Sequence, residues 1–120
     1  MNLTNPKSAY DASRFVGISF FARHGAGSAW RIRVQFPDGN TDPDGGVCGG
    51  ACFNDFGATI DLTEEWTKYT VLFDSLGQTG DWGTQPGRID RSKLFGIQFR
   101  VKNVDEPFDI WIDDIAFVGG

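Results

Sequence analysis

The sequence predicts an all-β chain folded as an antiparallel β-sandwich, on three observations. Short segments alternate apolar with polar residues, clusters of Gly, Pro, Asn and Asp separate those segments, and no stretch carries a convincing helical period. Several short strands with turn signals between them are the pattern of a sandwich.

Residues 1–14 are polar and proline-containing and read as an irregular lead-in to a single domain over 15–120. The first strand covers 17–22, with Ile18 and Phe20 on one face. HGAGS at 24–28 is a turn, and His24 within it reads as solvated. Residues 30–36 give the clearest alternation: Trp30, Ile32, Val34 and Phe36 face inward, and Arg31, Arg33 and Gln35 face outward. Pro37-Asp38-Gly39-Asn40 ends this strand with turn chemistry. A glycine-rich loop follows, carrying both cysteines.

A short strand is expected at 58–62, a turn at Thr63-Glu64-Glu65, and a further strand at 66–73 with Tyr69, Val71 and Phe73 on one face. Residues 74–87 form a second loop that places Trp82 among glycines, as a loop anchor or as a platform for a ligand. Asp90 can cap a helical turn over 91–94. Residues 95–101 repeat the plan of 30–36, with Phe95, Ile97, Phe99 and Val101 inward and Gln98 and Arg100 outward. Asn103 to Pro107 turns the chain into a closing strand at 108–118. There Ile110 and Ile112 have one parity and Ile115 and Phe117 the other. A bulge at Asp113-Asp114 resets the alternation and brings all four to the core.

At 120 residues, the chain can bury roughly two thirds of its unfolded surface and needs neither metals nor many disulfides to fold. Its net charge of -5 and pI near 4.6 argue against nucleic acid, whose phosphates call for a basic face. No apolar run reaches the length of a membrane span, and the N-terminus lacks the layout of a signal peptide. The abundance of glycine and aromatics suits an extracellular β domain, whose export signal is then expected outside this sequence. Catalysis is not indicated. Glu64-Glu65 read as solvated turn charges and Asp113-Asp114 are adjacent, so neither pair suggests the separation of roughly 5–9 Å that glycoside hydrolysis uses.

Cys48 and Cys52 flank two glycines that can take the positive φ of a tight turn, so a disulfide is sterically allowed. Free thiols are the alternative. A zinc site is disfavoured because four ligands are usual and His24 is the only histidine. Asp38, Asn40 and Asp42 match the opening of an EF-hand loop, but Pro43 and Gly49 stand where Gly and Glu are required, and that reading fails. Looser calcium binding by Asp38, Asp42 and Asp44 is left open.

Outward residues of three strands, Arg31, Arg33, Gln35, Gln98, Arg100, Asp109 and Trp111, are expected to share one sheet face, with Trp82 beside them. Planar hydrogen-bonding groups and aromatic rings are what sugar recognition requires. The bland alternative is a solvated face of cross-strand ion pairs that contribute little.

The segments YDASRFVGISFFAR (10–23), NTDPDGGVCGGACFNDFG (40–57), EEWTKYTVLFDSL (64–76), DWG (81–83), LFGIQFRV (94–101) and FDIWIDDIAF (108–117) resemble bacterial extracellular carbohydrate-binding modules. The resemblance is to the galactose-binding-like jelly-roll superfamily, near family 11 modules and CIA30-type domains. It implies a non-catalytic, secreted jelly roll that binds polysaccharide on a concave sheet face beside a linked catalytic domain. It also implies a structural calcium using Asp113 or Asp114, with the remaining oxygens from an early strand. β-Glucan is the first expected ligand and an acidic glycan the second, the latter because three arginines share the face. The CIA30-type resemblance implies protein interaction or assembly as the alternative function. The sequence departs from the pattern at Asn54-Asp55, where a His commonly follows the Asp, and at the N-terminus, where only nine residues precede Tyr10. A domain short of N-terminal strands is therefore expected, with an uncovered edge that invites self-association.

Overall fold

The computed structural model describes residues 1–102 and 105–119. Its six strands are β1 (Phe15–His24), β2 (Arg31–Phe36), β3 (Phe56–Asp61), β4 (Thr67–Leu72), β5 (Gln98–Val101) and β6 (Ile110–Gly119). They form two antiparallel three-stranded sheets, ordered β4-β1-β6 and β3-β2-β5. Helical structure among the described residues is confined to 3-10 turns at Pro43–Gly45, Phe73–Ser75 and Arg91–Lys93. Asp90 caps the last of these, its carboxylate accepting from the Ser92 amide at 3.0 Å.

Alternation explains the core. Ile18, Phe20 and Ala22 of β1 and Val71 of β4 form one buried cluster with Ile32, Val34 and Phe36 of β2. Phe20 meets Phe99 of the opposite sheet edge-on at 5.2 Å, and Phe36 meets Phe73 in the same way at 5.4 Å. Fully burying one such side chain stabilises the fold by roughly 1.5–3 kcal/mol.

The expected bulge in the closing strand is present. Phe21 pairs with Asp113 and Ser19 with Ala116, so Asp114 and Ile115 together oppose Phe20. Asp114 takes φ 52°, and Ile110, Ile112, Ile115 and Phe117 all pack against the core.

Three expectations change. Trp30 lies outside β2 and is 45% exposed, with the Arg31 guanidinium 4.8 Å from its ring. β5 begins at Gln98 where a strand from Phe95 was expected. The stretch before it is occupied by other partners: the Phe95 amide donates to the Pro37 carbonyl and the Ile97 amide to Met1. The lead-in is irregular, yet it packs on the core through Leu3 and Tyr10 and bridges Gly96 and Leu94. The turn expected at 103–107 lies partly outside the described residues, since Asn103 and Val104 are not among them.

Candidate functional site

The outer face of β3-β2-β5 is set by register. Arg33 stands opposite Arg100, and Gln35 opposite Gln98. On the other side of β2, Arg31 pairs with Asp61, Arg33 with Thr59 and Gln35 with Gly57. Arg31 is neutralised, its Nε donating to Asp61 at 2.8 Å. Gln35 donates to Gln98 Oε1 at 2.7 Å and to Asp55 Oδ2 at 3.2 Å. Gly57 lets Arg33 lie across the sheet, since a Cβ there would stand 2.9 Å from the Arg33 guanidinium carbon. Arg33 Nη2 then donates to the carbonyls of Asp55 at 3.0 Å and Gly77 at 2.8 Å.

Two loops rise over this floor. In the first, Cys48 and Cys52 are bonded as a disulfide with Cα atoms 5.1 Å apart. The residue after it, Phe53, takes φ 78°, its amide donates to the Thr41 carbonyl at 2.9 Å, and its ring is 68% exposed. The second loop carries Trp82, 51% exposed. Asn54, 2% exposed, joins the two: Nδ2 donates to the Thr79 and Trp82 carbonyls at 2.8 and 2.7 Å, and Oδ1 accepts from the Thr79 amide and hydroxyl, each at 3.2 Å. Gln78 strengthens the join by donating to the Asn54 and Thr84 carbonyls.

Floor and walls enclose a cleft of about 270 Å³. Arg33, Gln35 and Arg100 line its base, Phe53, Asn54 and Trp82 its sides, and Lys102 its end. Burial pushes the Arg33 guanidinium down from its ordinary value; the Asp55 charge opposes this and the Arg100 charge adds to it. Burial pushes the Asp55 carboxyl up, and its Oδ1 is buried without a hydrogen-bond partner.

Of the residues expected to share a face, Arg33, Gln35, Arg100 and Trp82 meet in the cleft, and Gln98 on the neighbouring strand accepts from Gln35. Arg31 lies further along the same face in its pair with Asp61. Asp109 and Trp111 do not join them. β6 pairs with β1, so the parity expected to aim Trp111 at the arginines places it on the other sheet, opposite Arg23 and 55% exposed. Asp109 sits just before β6 and lines a separate groove at the β5 and β6 edges, with Phe99, Phe108, Ile110 and Arg100. Phe53, Asn54, Asp55 and Lys102 were missed. Phe53 carried the same signal as Trp82, an aromatic in a glycine-rich loop without a strand to pack into.

The acidic residues expected to hold calcium lie in separate places. Asp113 and Asp114 are exposed, and Asp113 Oδ1 already accepts from the Asp114 amide at 2.8 Å. Asp38 accepts from Asn40, Thr41 and Asp90, while Lys7 pairs with Asp42 and Asp44 at 2.9 and 3.2 Å. Among the described residues no group of three or more His, Cys, Asp or Glu side chains is placed to hold a metal, and calcium takes six to eight oxygens.

No protein-family model and no curated protein sequence matches the chain. Its fold is similar to that of a family 11 carbohydrate-binding module of a cellulosomal cellulase of Clostridium thermocellum, with a TM-score of 0.68 and 19% identity. The likeness covers 94% of this chain and 64% of that module, so the chain spans less than two thirds of its neighbour's length. At this identity the two share a jelly-roll sandwich fold. No helix of the described residues is long and apolar enough to cross a membrane.

Proposed function

We propose that the chain is a non-catalytic carbohydrate-binding module whose β3-β2-β5 face takes a polysaccharide. One observation carries this reading: planar hydrogen-bonding side chains, Arg33, Gln35 and Arg100, floor a cleft whose walls present the exposed rings of Phe53 and Trp82. The rings can lie against sugar C–H faces while the floor exchanges hydrogen bonds with hydroxyls. The similar solved module supports the same reading at the level of fold. In that setting the chain is a secreted accessory module of a bacterial glycan-active protein, next to a linked catalytic domain. A β-glucan is the first ligand class from family resemblance and an acidic glycan the second.

Affinity gel electrophoresis against a panel of polysaccharides, with calcium and with chelator, tests the proposal. Retention by a defined polymer, weakened in Trp82→Ala, is the expected result. Retardation that disappears with chelator would restore a role for calcium through residues such as Asp113 and Asp114. A folded protein retained by no polymer would sink the carbohydrate reading.

A second reading, an assembly domain that self-associates, draws on the groove beside β5 and β6, where Phe108 is largely exposed. Sedimentation equilibrium separates the two: a dimer disrupted by Phe108→Ser, together with no glycan retention, would favour assembly.

A further inference from the structure

We infer that the cleft selects a sugar bearing a carboxylate, so that the preferred polymer is a polyuronate rather than a neutral β-glucan. This rests on the proposal that the cleft binds polysaccharide, and it reverses the order of ligands that resemblance alone favours.

Charge pairing within one sheet face is the first argument. Arg31 has Asp61 as its cross-strand partner and is bridged to it. Arg33 has Arg100, a like charge directly opposite, an arrangement that destabilises a sheet unless something between the two offsets it. Among the described residues no carboxylate oxygen lies within ion-pair distance of Arg33, Arg100 or Lys102, although the protein as a whole carries a net charge of -5. The cleft is thus a cationic spot on an acidic molecule, which favours an anion that reaches all three.

Donor geometry is the second. Arg33 Nη2 is held by two carbonyls, which fixes the guanidinium, while Nη1 and Nε have no hydrogen-bond partner among the described residues. An immobilised guanidinium with unspent donors is suited to a planar carboxylate. Asp55 is the one carboxylate in the lining, and although its charge acts on Arg33, the two form no ion pair. Its Oδ2 accepts from Gln35 and its Oδ1 is shut away from solvent, below the surface that a ligand would touch. Phe53 and Trp82 add ring faces for the pyranose, which a free inorganic anion would not need.

The test is isothermal titration of the whole chain with polygalacturonate, with the same polymer after reduction of its carboxyls, with barley β-glucan and with dextran sulfate, at low and high salt. Expected are binding of polygalacturonate at least about tenfold tighter than of the reduced polymer or the β-glucan, a steep loss with salt, and about a tenfold loss in Arg100→Gln. The Arg100 side chain is exposed and makes no hydrogen bond or ion pair among the described residues, so that variant should fold. Lys68→Gln, the same charge change on the other sheet, should leave affinity unaltered. β-Glucan bound as tightly as polygalacturonate would overturn the inference and leave the polysaccharide reading intact. Dextran sulfate bound as tightly as polygalacturonate would overturn it in favour of unspecific anion adsorption. Binding of none of the polymers would overturn both.

Discussion

The two sheets obey one alternation rule yet present different outer faces. On β4-β1-β6, Trp111, Phe21 and Lys68 stand outward from paired strands, and Trp111 is 55% exposed. On β3-β2-β5, the outward side chains are the floor of a cleft, and Gln35 is almost wholly buried although it points away from the core. The difference comes from loops. The long connections after β2 and after β4 are tied to each other through Asn54 and to the sheet through the Gly57 and Gly77 bridge. An exposed aromatic therefore has different meanings on the two faces: on one it stands on a sheet surface, on the other it is the wall of an enclosure.

Removing the tie should have the largest effect. Asn54→Ala leaves the Thr79 carbonyl and amide without their side-chain partner, while the Trp82 carbonyl keeps Gln85 Nε2 at 2.7 Å. Losing these bonds should cost about 1–3 kcal/mol together, to be read from urea unfolding, and glycan affinity should fall by at least about tenfold. A variant that kept both would show that the walls stand without this residue. Next comes the disulfide. A five-residue ring contributes about 2 kcal/mol in the chain-entropy model, so reduction should lower the unfolding midpoint. Because Phe53 follows Cys52 directly, amide exchange should quicken across 48–54 and stay unchanged across β4. Uniform quickening would mean that the ring braces the whole sandwich.

The aromatics sharpen the contrast on a smaller scale. Trp82→Ala should cost about 1 kcal/mol of glycan binding, a five- to tenfold loss by titration, while Trp111→Ala on the other sheet should cost nothing measurable. Equal losses would erase the distinction between the faces.

How much of this was legible in the sequence follows the range of the interactions. The strands were readable because alternation is local: β2, β4 and the bulged β6 lie within a residue or two of where periodicity places them, apart from an end that begins later, as at Gln98. Within β2 and β5, periodicity also put Arg33, Gln35, Gln98 and Arg100 on the same side of their strands. Which strands are neighbours is a non-local choice, and parity cannot reveal it. Trp111 has the outward parity expected of it and still faces away from the arginines, because β6 pairs with β1. The walls were hidden for the same reason. Asn54 carries no pattern of its own; its role depends on Thr79 and Trp82, which lie far along the chain.

The smallest expected effect concerns a carboxyl beneath the cleft, and its sign is specific. Burial raises the Asp55 pKa, so the folded protein holds that proton more tightly than the unfolded chain, whose value is about 3.9. The stability gained is fully present below about pH 4 and is lost as pH rises through the folded value. Asp38 is raised by burial in the same sense, against the donors that Asn40, Thr41 and Asp90 supply. Asp61 has the opposite sign, since the Arg31 hydrogen bond lowers it, but that pair is exposed and solvent-screened. Stability should therefore decline as pH rises above about 4 through the folded values, and Asp55→Asn, which keeps an oxygen for Gln35 Nε2, should make the decline shallower. Unfolding midpoints in urea across that range, measured for both proteins, decide it. Parallel curves would mean that the Asp55 carboxyl is solvated in the folded state. A shallower curve for the variant would tie the raised pKa of that carboxyl to its burial beneath the walled face.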